Sequence, residues 1–283
     1  MYLLLAVLPA IFWGINPLII KKINGHTSNE MFGTGLGALI TSIGAFLIVG
    51  NISGLTLLTF GLSFISGAAW AIGQLGQFMS FRTIGISKTM PISTGLQLTG
   101  TSIIGVIAFG EWTGVINKVI GFAAIIVLII GVYVISKTGK QTKDQNIKDY
   151  LPLFITSIGY WVYSCIPKAI NVNGLQLFSI QMLGTFTVAI IYSLYKNNQV
   201  VKQKQSWLNI IPGILYGLAS LAYIFAARKV GVNTAFVIGQ LNVVISTLGS
   251  IFILKEHQKG KDLVKTISGL ALILIASCVT AFL

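Results

Sequence analysis

The sequence predicts an all-α polytopic membrane protein with ten transmembrane helices. The 283 residues are 54% hydrophobic and only 9% charged, whereas soluble proteins are about 25% charged. The apolar residues fall into ten runs that are long enough to cross a bilayer, because about 20 residues at a rise of about 1.5 Å span about 30 Å of hydrocarbon. The polar connections between the runs are too short to hold a soluble domain.

The ten predicted spans are separated by short connections, with one longer polar segment at residues 137–150. In order, the spans are Tyr2–Ile20, Met31–Val49, Leu57–Phe81, Ile86–Phe109, Val115–Ser136, Leu151–Pro167, Gln176–Tyr195, Trp207–Ala227, Val232–Leu254 and Val264–Leu283. No basic segment precedes span 1, which favours a retained span over a cleaved signal peptide. The lysine-rich segment 137–150 is predicted to be a cytoplasmic linker between two five-span halves, residues 1–136 and 151–283.

Basic residues are distributed unevenly between the two sets of loops. In a ten-span protein, loops 1–2, 3–4, 5–6, 7–8 and 9–10 lie on one side of the membrane. They hold 15 of the 19 Lys and Arg residues, and the other side holds Lys118, Lys168, Arg228 and Lys229. Cytoplasmic loops carry an excess of Lys and Arg. We therefore predict a multi-pass protein of the cell membrane with both termini outside.

Charge and cysteine patterns argue against several other classes of protein. The net charge is +13, but the basic residues stand singly or in small groups between apolar runs, so no nucleic-acid partner is predicted. Cys165 and Cys278 lie inside apolar runs, which predicts free thiols. The sequence has neither a P-loop nor a His/carboxylate cluster or acid pair within a span. We therefore predict no ATP drive, no enzymatic activity, no metal and no cofactor.

The turn between spans 3 and 4 has a counterpart between spans 8 and 9. The segment Phe81-Arg-Thr-Ile-Gly-Ile-Ser87 resembles Ala227-Arg-Lys-Val-Gly-Val-Asn233. Because each half has an odd number of spans, duplication would invert the second half in the membrane, as in many secondary transporters. The sequence therefore predicts two inverted five-helix repeats, with Arg82 and Arg228 on opposite faces.

Residues on both sides of this turn support the same alignment. Upstream, Gly67 and Trp70 align with Gly213 and Tyr216. Downstream, Glu111 aligns with Glu256 after one gap, in the segments Gly110-Glu-Trp112 and Lys255-Glu-His257. Similarity between apolar helices arises readily by chance, so the prediction depends on the shared order of an aromatic residue, the Arg-x-x-Gly turn and a glutamate.

Five motifs together are typical of one family. They are Pro9-Ala-Ile-Phe-Trp-Gly14 with Pro17, Trp70-Ala-Ile-Gly-Gln-Leu-Gly-Gln77, Gly85-Ile-Ser-Lys-Thr-Met-Pro-Ile-Ser-Thr-Gly-Leu-Gln97, Phe109-Gly-Glu-Trp112 and Gly159-Tyr-Trp-Val-Tyr163. This set resembles the glucose/ribose porter family of sugar uptake proteins, within the drug/metabolite transporter superfamily. The resemblance covers essentially the whole chain. It implies ten helices, an internal repeat and uptake of a monosaccharide, glucose or ribose, usually coupled to protons.

Neutral polar side chains recur at membrane depth, where the spans carry no charge. A side-chain amide in hydrocarbon costs free energy unless it is hydrogen-bonded, so these groups must face the protein interior or a wet cavity. Amides both donate and accept, and aromatic faces suit the C–H face of a sugar ring. The ligand is therefore predicted to be neutral and polyhydroxylated. The predicted substrate-binding residues are Gln74, Gln77, Gln97, Trp70, Trp161, Tyr160, Tyr163, Asn16, Gln181, Gln240 and Asn242.

Each single amide has an alternative role as a hydrogen bond between helices, worth about 0.6 kcal/mol on average. The prediction of a binding site therefore rests on Gln74, Gln77 and Gln97 together, because one short turn joins their two spans. Pro91 indicates either a kinked or a broken span 4. Three tryptophans near span ends, Trp13, Trp112 and Trp207, are interpreted as interfacial anchors.

Proton coupling needs a titratable group, and the acidic residues all fall at predicted span ends or in loops. They are Glu30, Glu111, Asp144, Asp149, Glu256 and Asp262. Glu111 is closely flanked by long apolar runs, so it is the candidate for carrying the proton, with a solvated helix end as the alternative. The residues allow facilitated diffusion as readily as symport. An exporter of another small neutral metabolite also stays open, whereas a membrane scaffold would not need an amide-rich interior. Nothing in the sequence indicates an oligomeric state.

Overall fold

The computed structural model describes residues 2–49, 54–138, 147–256 and 258–283, and the regular structure within these ranges is entirely helical. Residues 139–146 of the predicted linker, which include Lys140, Lys143 and Asp144, lie outside the described residues, as does His257 of the aligned Glu256 segment. The sequence prediction of an all-α polytopic membrane protein is confirmed.

Helix bounds follow the predicted spans to within a few residues. Spans 1 to 7 are single helices at Tyr2–Ile23, Thr27–Val49, Leu57–Thr83, Ile86–Phe109, Val115–Ser136, Leu151–Ala169 and Gly174–Lys196. Span 8 comprises Lys204–Leu208 and Ile210–Val230, span 9 comprises Val232–Gly239 and Leu241–Phe252, and span 10 is Lys261–Ala281. Short 3-10 turns lie at Ile147–Asp149 and Val200–Lys202.

Within the described ranges, nine helical segments are long and apolar enough to cross a membrane, and span 6 falls below the hydropathy of the others. Its aromatic residues and Lys168 lower that hydropathy. Span 6 nevertheless runs from one face of the molecule to the other. Thr83 donates to the Asp149 carbonyl at 3.4 Å just before span 6 begins, and Lys168 lies 2.5 Å from Glu111 near its end.

The loops that carry most of the basic residues meet at one end of the helices, which we call the basic face. Glu256, after span 9, accepts hydrogen bonds of 2.9 Å from the backbone amides of Ile86 and Ser87 at the start of span 4. Gln258 donates at 3.1 Å to Ser87 and at 3.1 Å to Thr138, after span 5. The basic face is therefore closed by contacts between the two halves.

The other end, which we call the opposite face, is less tightly packed. Every residue from 86 to 95 at the start of span 4 is buried. The aligned start of span 9 is open, with Val232 62% exposed and its neighbours Gly231 and Asn233 also exposed. Arg228 there donates at 3.2 Å to Asn173 in loop 6–7. Equivalent segments of the two halves thus differ in burial.

Glycines allow the central helices to cross in contact. Span 3 packs on spans 6 and 7, and span 8 packs on spans 1 and 2. A Cβ placed on Gly67 would clash with the backbone of Gln181 in span 7, and one on Gly213 would lie 2.8 Å from the Cα of Gly37 in span 2. Small residues at such crossings let backbones approach closely. Gly67 and Gly213, which the sequence aligns, therefore occupy corresponding crossings.

Span 4 is not broken at Pro91, because helix Ile86–Phe109 continues through that residue without interruption. Span 9 has a local distortion at Gln240, between Val232–Gly239 and Leu241–Phe252. Gln240 keeps helical dihedrals, and its backbone amide donates at 3.0 Å to the Phe236 carbonyl. The Asn242 side chain donates at 2.7 Å to the Gly239 carbonyl beside it. Val232–Phe252 therefore forms one continuous span.

Candidate functional site

Four of the predicted site residues form one continuous hydrogen-bonded chain across spans 6, 3 and 4. The Tyr160 hydroxyl donates to Gln74 at 3.0 Å, and Gln74 donates to Gln77 at 3.0 Å. Gln77 and Gln97 both donate to the Ser93 hydroxyl, at 3.0 and 3.1 Å. Ser93 accepts both amides because Gln97 lies one turn after it on the same helix. We call these five residues the amide chain.

The amide chain crosses from the packed interior to a less enclosed region. Gln77 is 7% exposed and Ser93 is 1% exposed, whereas Gln74 and Gln97 are half-buried. Gly73 lies against the Tyr160 ring, so that a Cβ there would come within 2.8 Å of ring atoms. The small glycine thus lets the tyrosine reach Gln74. The arrangement offers donors and acceptors without charge, which suits hydroxyl groups.

An aromatic cluster lies next to the amide chain. Trp70 stacks on Tyr216 with ring centroids 4.2 Å apart, and both rings pack with Tyr160 and Tyr163. Trp161 points elsewhere, because its indole N–H donates at 2.9 Å to the Leu96 carbonyl in span 4. Trp70, Tyr160 and Tyr163 therefore come together as predicted, whereas Trp161 bridges two helices.

Gln181 is satisfied by a separate set of contacts. Its amide donates at 2.8 Å to Ser66, and the Ser66 hydroxyl donates at 2.9 Å to the Tyr163 carbonyl. These bonds join spans 7, 3 and 6, and Gln181 is 5% exposed. Gln181 therefore forms a hydrogen bond between helices, which is the alternative role that the sequence analysis gives to any single amide.

Three predicted residues lie on the other side of the bundle, where span 1 meets spans 8 and 9. Asn16 donates at 3.0 Å to the Pro212 carbonyl in span 8. Gln240 and Asn242 lie at the local distortion of span 9, and the Asn242 amide bonds within that span. A Cβ on Gly14 would approach the Asn242 carbonyl to 3.1 Å, so spans 1 and 9 are in contact at this depth.

Trp13 belongs to this region, and its interpretation as an interfacial anchor is wrong. Its ring lies 5.9 Å from that of Tyr223 in span 8 and packs against the aromatic cluster. Trp112 is also interior, 5% exposed and packed edge-on against Phe122. Trp207 is 51% exposed, as an anchor would be. Contacts between helices decide these roles. The prediction groups Trp13 with residues near span ends, but this residue lies near the middle of helix Tyr2–Ile23, and that position is the signal that could have indicated its burial.

The acidic residues nearest the spans differ in environment. Glu111 lies at the opposite face, 2.5 Å from Lys168, with its side chain 38% exposed. Glu30 lies at a span end, which is one of the two positions predicted for the acidic residues: span 2 begins at Thr27, so Glu30 is in its first turn, where it is 4% exposed. Glu30 pairs with Arg82 at 2.5 Å across the basic face. Between these faces, the described side chains of the amide chain and the aromatic cluster are neutral.

Three comparisons with known proteins agree with this architecture. A family model described as "Sugar transport protein" matches residues 4–283. The chain is 50% identical to a protein of Lactiplantibacillus plantarum named "Putative sugar uptake protein", over 100% of both chains. It is 39% identical to a Staphylococcus epidermidis protein named "Putative ribose uptake protein RbsU", over 99% of this chain and 98% of the other.

A solved structure has the same fold. A crystal structure of a protein that is 12% identical to this chain superposes with a TM-score of 0.64 and covers 100% of this chain and 98% of its own. Identity at this level establishes the fold and nothing about the ligand.

Proposed function

Because this chain belongs to the sugar transport protein family, we propose that it is a secondary transporter that takes up a neutral monosaccharide, glucose or ribose, across the cell membrane. The amide chain is the observation that supports this proposal most directly. It places Gln74, Gln77 and Gln97 in one network beside stacked aromatic rings. A sugar needs both elements, since its hydroxyls pair with amides and its C–H face packs on aromatic rings.

The neutrality of the central region supports an uncharged substrate. A cationic substrate would need a carboxylate at membrane depth, and an anionic one would need a base or a helix N-terminus. Among the described residues, the ion pairs lie at the two faces, as Glu30–Arg82 and Glu111–Lys168. We therefore assign the predicted substrate contacts to the amide chain and the aromatic cluster.

Alternating access in this proposal uses the unequal starts of spans 4 and 9. In this proposal, the packed basic face, where Glu256 holds the start of span 4, represents a state closed on that side, and access is from the opposite face, where the start of span 9 is exposed. In the alternative state, the start of span 9 would be buried and held by Glu111, and the start of span 4 would be exposed. Inverted-repeat transporters change access by such an exchange between halves.

Coupling to protons is part of the proposal, with Glu111 as the carrier. The Glu111 side chain is 38% exposed beside Lys168 at the opposite face, which gives a titratable group access to that side of the membrane. The first alternative is facilitated diffusion of the same sugar, with no coupled ion. An exporter of another small neutral metabolite is the remaining alternative, and direction is decided by experiment.

The decisive experiment is uptake of radiolabelled D-glucose and D-ribose into proteoliposomes that contain the purified protein, with and without an imposed pH gradient. We expect saturable uptake of at least one sugar, inhibited by the unlabelled sugar. Uptake no faster than in empty liposomes for both sugars would overturn the proposed function.

A further inference from the structure

A small cavity lies on the basic face between the ends of spans 1 and 3 and the start of span 2. Its lining residues are Ile20, Lys21, Asn24, Glu30, Phe81 and Arg82. Lys21 and Asn24 are exposed, whereas Glu30 is only 4% exposed. The cavity therefore reaches from the basic side to a buried carboxylate.

Three residues of span 2 connect this cavity with the aromatic cluster. Glu30, Thr34 and Ala38 follow one another at intervals of four, so they lie on one surface of the helix. Glu30 lines the cavity, and Ala38 packs in the aromatic cluster. Thr34 therefore lies between the two, about 6 Å from each along the helix axis.

Span 3 carries a matching row of side chains. Its members, again at intervals of four, are Trp70, Gln74, Phe78 and Arg82. Trp70 belongs to the aromatic cluster and Gln74 to the amide chain. The two rows meet at both ends, because Ala38 and Trp70 share one cluster and Glu30 pairs with Arg82 at 2.5 Å. Together they lead from the proposed sugar contacts to the basic face.

Two buried oxygen atoms in the span 2 row lack partners. Neither Oε2 of Glu30 nor Oγ1 of Thr34 has a hydrogen-bond partner within the described ranges of the chain. More than nine in ten buried polar groups in folded proteins are hydrogen-bonded, and each exception requires a reason. A path that is closed here and hydrated in another state supplies the reason, since water then reaches both atoms.

An ion pair and an apolar layer close the path between these rows. Glu30 and Arg82 join the start of span 2 to the end of span 3. Next to them, the buried side chains of Ile20, Met31 and Phe81 belong to one apolar cluster. Both contacts must separate before a polar molecule can pass.

The aligned turn at the opposite face has a looser form of the same contact. Arg228 donates at 3.2 Å to Asn173, the residue before span 7. Both of these residues are exposed, whereas Glu30 is buried. Equivalent contacts of inverted repeats alternate between tight and loose as access changes sides. The tight Glu30–Arg82 contact is therefore the one expected to open when access passes to the basic face.

We propose that sugar leaves toward the basic face between spans 2 and 3, past Thr34, and that the Glu30–Arg82 ion pair is the gate at the mouth of this path. When the gate opens, the Thr34 hydroxyl and the Glu30 carboxylate bond to water and to the hydroxyls of the sugar. The inference rests on the proposed function, because it assigns the path of the same substrate.

The first test measures access to Thr34 in a protein in which Cys165 and Cys278 are replaced by serine. Thr34→Cys, at a position that is 3% exposed, reacts with a membrane-impermeant maleimide added on the basic side. Arg82→Gln should accelerate this reaction at least about tenfold, because it breaks a charged hydrogen bond that holds the gate closed. An unchanged rate would overturn the gate.

Two controls separate gate opening from general loosening. Arg228→Gln makes the same change at the aligned turn and should leave the Thr34→Cys rate as it was. Ala189→Cys is matched in depth, because a Cβ on Gly35, next to Thr34, would lie 2.7 Å from the Ala189 Cβ, between spans 2 and 7. Its rate should not respond to Arg82→Gln, and an acceleration equal to that of Thr34→Cys would contradict the gate.

A second variant keeps the gate testable if Arg82→Gln does not elute as a folded species in detergent. Glu30→Gln removes the charge, keeps the size of the side chain and leaves the bonds from Arg82 to Gly25 and Thr27 in place. It should also accelerate the reaction of Thr34→Cys. A rate equal to that of the parent would overturn the gate.

Uptake assays then ask whether this path carries sugar. Thr34→Cys should transport before it is labelled, because no partner of its hydroxyl is lost among the described residues, and should stop once the maleimide is attached. Full uptake by the labelled protein would overturn the path and leave the proposed function intact. If the parent transports neither sugar, the proposed function is wrong, and the labelling rates still decide the gate.

Discussion

Trp70 and Tyr216, which are aligned between the two halves of the sequence, stack on each other at the centre of the molecule. Their ring centroids are 4.2 Å apart and their planes differ by 29°. Two residues that a two-fold axis relates can touch only if they lie close to that axis. The contact therefore supports an axis between spans 3 and 8, parallel to the membrane, about which one half matches the other.

The turn after each of these spans has the same backbone geometry. Gly85 has φ 83° and ψ 164°, and Gly231 has φ 87° and ψ 150°. Positive φ with extended ψ is essentially restricted to glycine. We propose, on this correspondence, that residues 1–136 and 151–283 are inverted five-helix repeats joined by the linker 137–150, so that Arg82 and Arg228 occupy equivalent turns.

Membrane orientation can be tested with reporters. A fluorescent protein that folds only in the cytoplasm, fused after Leu283, should stay dark, because the basic face is expected to be cytoplasmic. The same reporter fused to a chain truncated after Lys196, in loop 7–8, should fluoresce. Bright fluorescence from the Leu283 fusion together with a dark Lys196 fusion would reverse the orientation.

The amide chain should determine affinity for the sugar. Gln77→Leu and Gln97→Leu each remove a donor to a sugar hydroxyl, which costs about 1–3 kcal/mol, or roughly ten- to hundredfold in affinity. Gln77→Leu also removes the bonds to Gln74 and Ser93, and Gln97→Leu removes one to Ser93, so each variant must first be shown to elute as a folded species in detergent. The measurement is the half-saturating sugar concentration in proteoliposomes.

Gln205→Leu, an exposed change near the basic face, is the control for the amide variants. It should transport as the parent does. Parent-like affinity in both Gln77→Leu and Gln97→Leu would contradict sugar binding by the amide chain. Its hydrogen bonds would then serve only to join helices.

Coupling should depend on Glu111. Glu111→Gln cannot release a proton, so the variant should still exchange labelled sugar but lose accumulation driven by a pH gradient. The same two assays on Glu30→Gln test the buried carboxylate that pairs with Arg82. Accumulation that survives in Glu111→Gln and is lost in Glu30→Gln would move the coupling role to Glu30. If sugar accumulation by the parent does not respond to a pH gradient, proton symport is excluded and facilitated diffusion is the model that agrees.

Closure of the basic face should depend on Glu256. Its carboxylate accepts two backbone hydrogen bonds at the start of span 4, and bonds to charged groups contribute about 1.5–3 kcal/mol each. Glu256→Ala should therefore favour the state that is open at the basic face at least about tenfold. The readout is the alkylation rate of Thr89→Cys, a position that is 0% exposed, by a maleimide added from the basic side.

This experiment uses a protein in which Cys165 and Cys278 are replaced by serine, so that Thr89→Cys is the reactive thiol. Glu111→Ala is the matched control, because it removes the aligned carboxylate at the opposite face and should not accelerate alkylation. An alkylation rate in Glu256→Ala equal to that of its parent would show that Glu256 does not hold the closed state.

The sequence by itself determined the class of protein, the number of spans and their approximate ends. These depend on the hydrophobicity of long runs, which a bilayer imposes segment by segment. The positive charge of the loops and the Arg-x-x-Gly turns are also local features. The resemblance to a sugar transport family was readable from motifs within and just beyond spans 1, 3, 4 and 6, and the comparisons confirm it.

Only the tertiary structure decided which polar side chains meet. Gln74, Gln77 and Gln97 come together because one turn joins their spans, whereas Gln181 and Trp161 bond between helices that are distant in sequence. The burial of Trp13 depends on its packing against Tyr223 of span 8 and the aromatic cluster. Helices in lipid have apolar surfaces on every side, so periodicity does not indicate which surface faces a neighbour, and the contacts alone fix it.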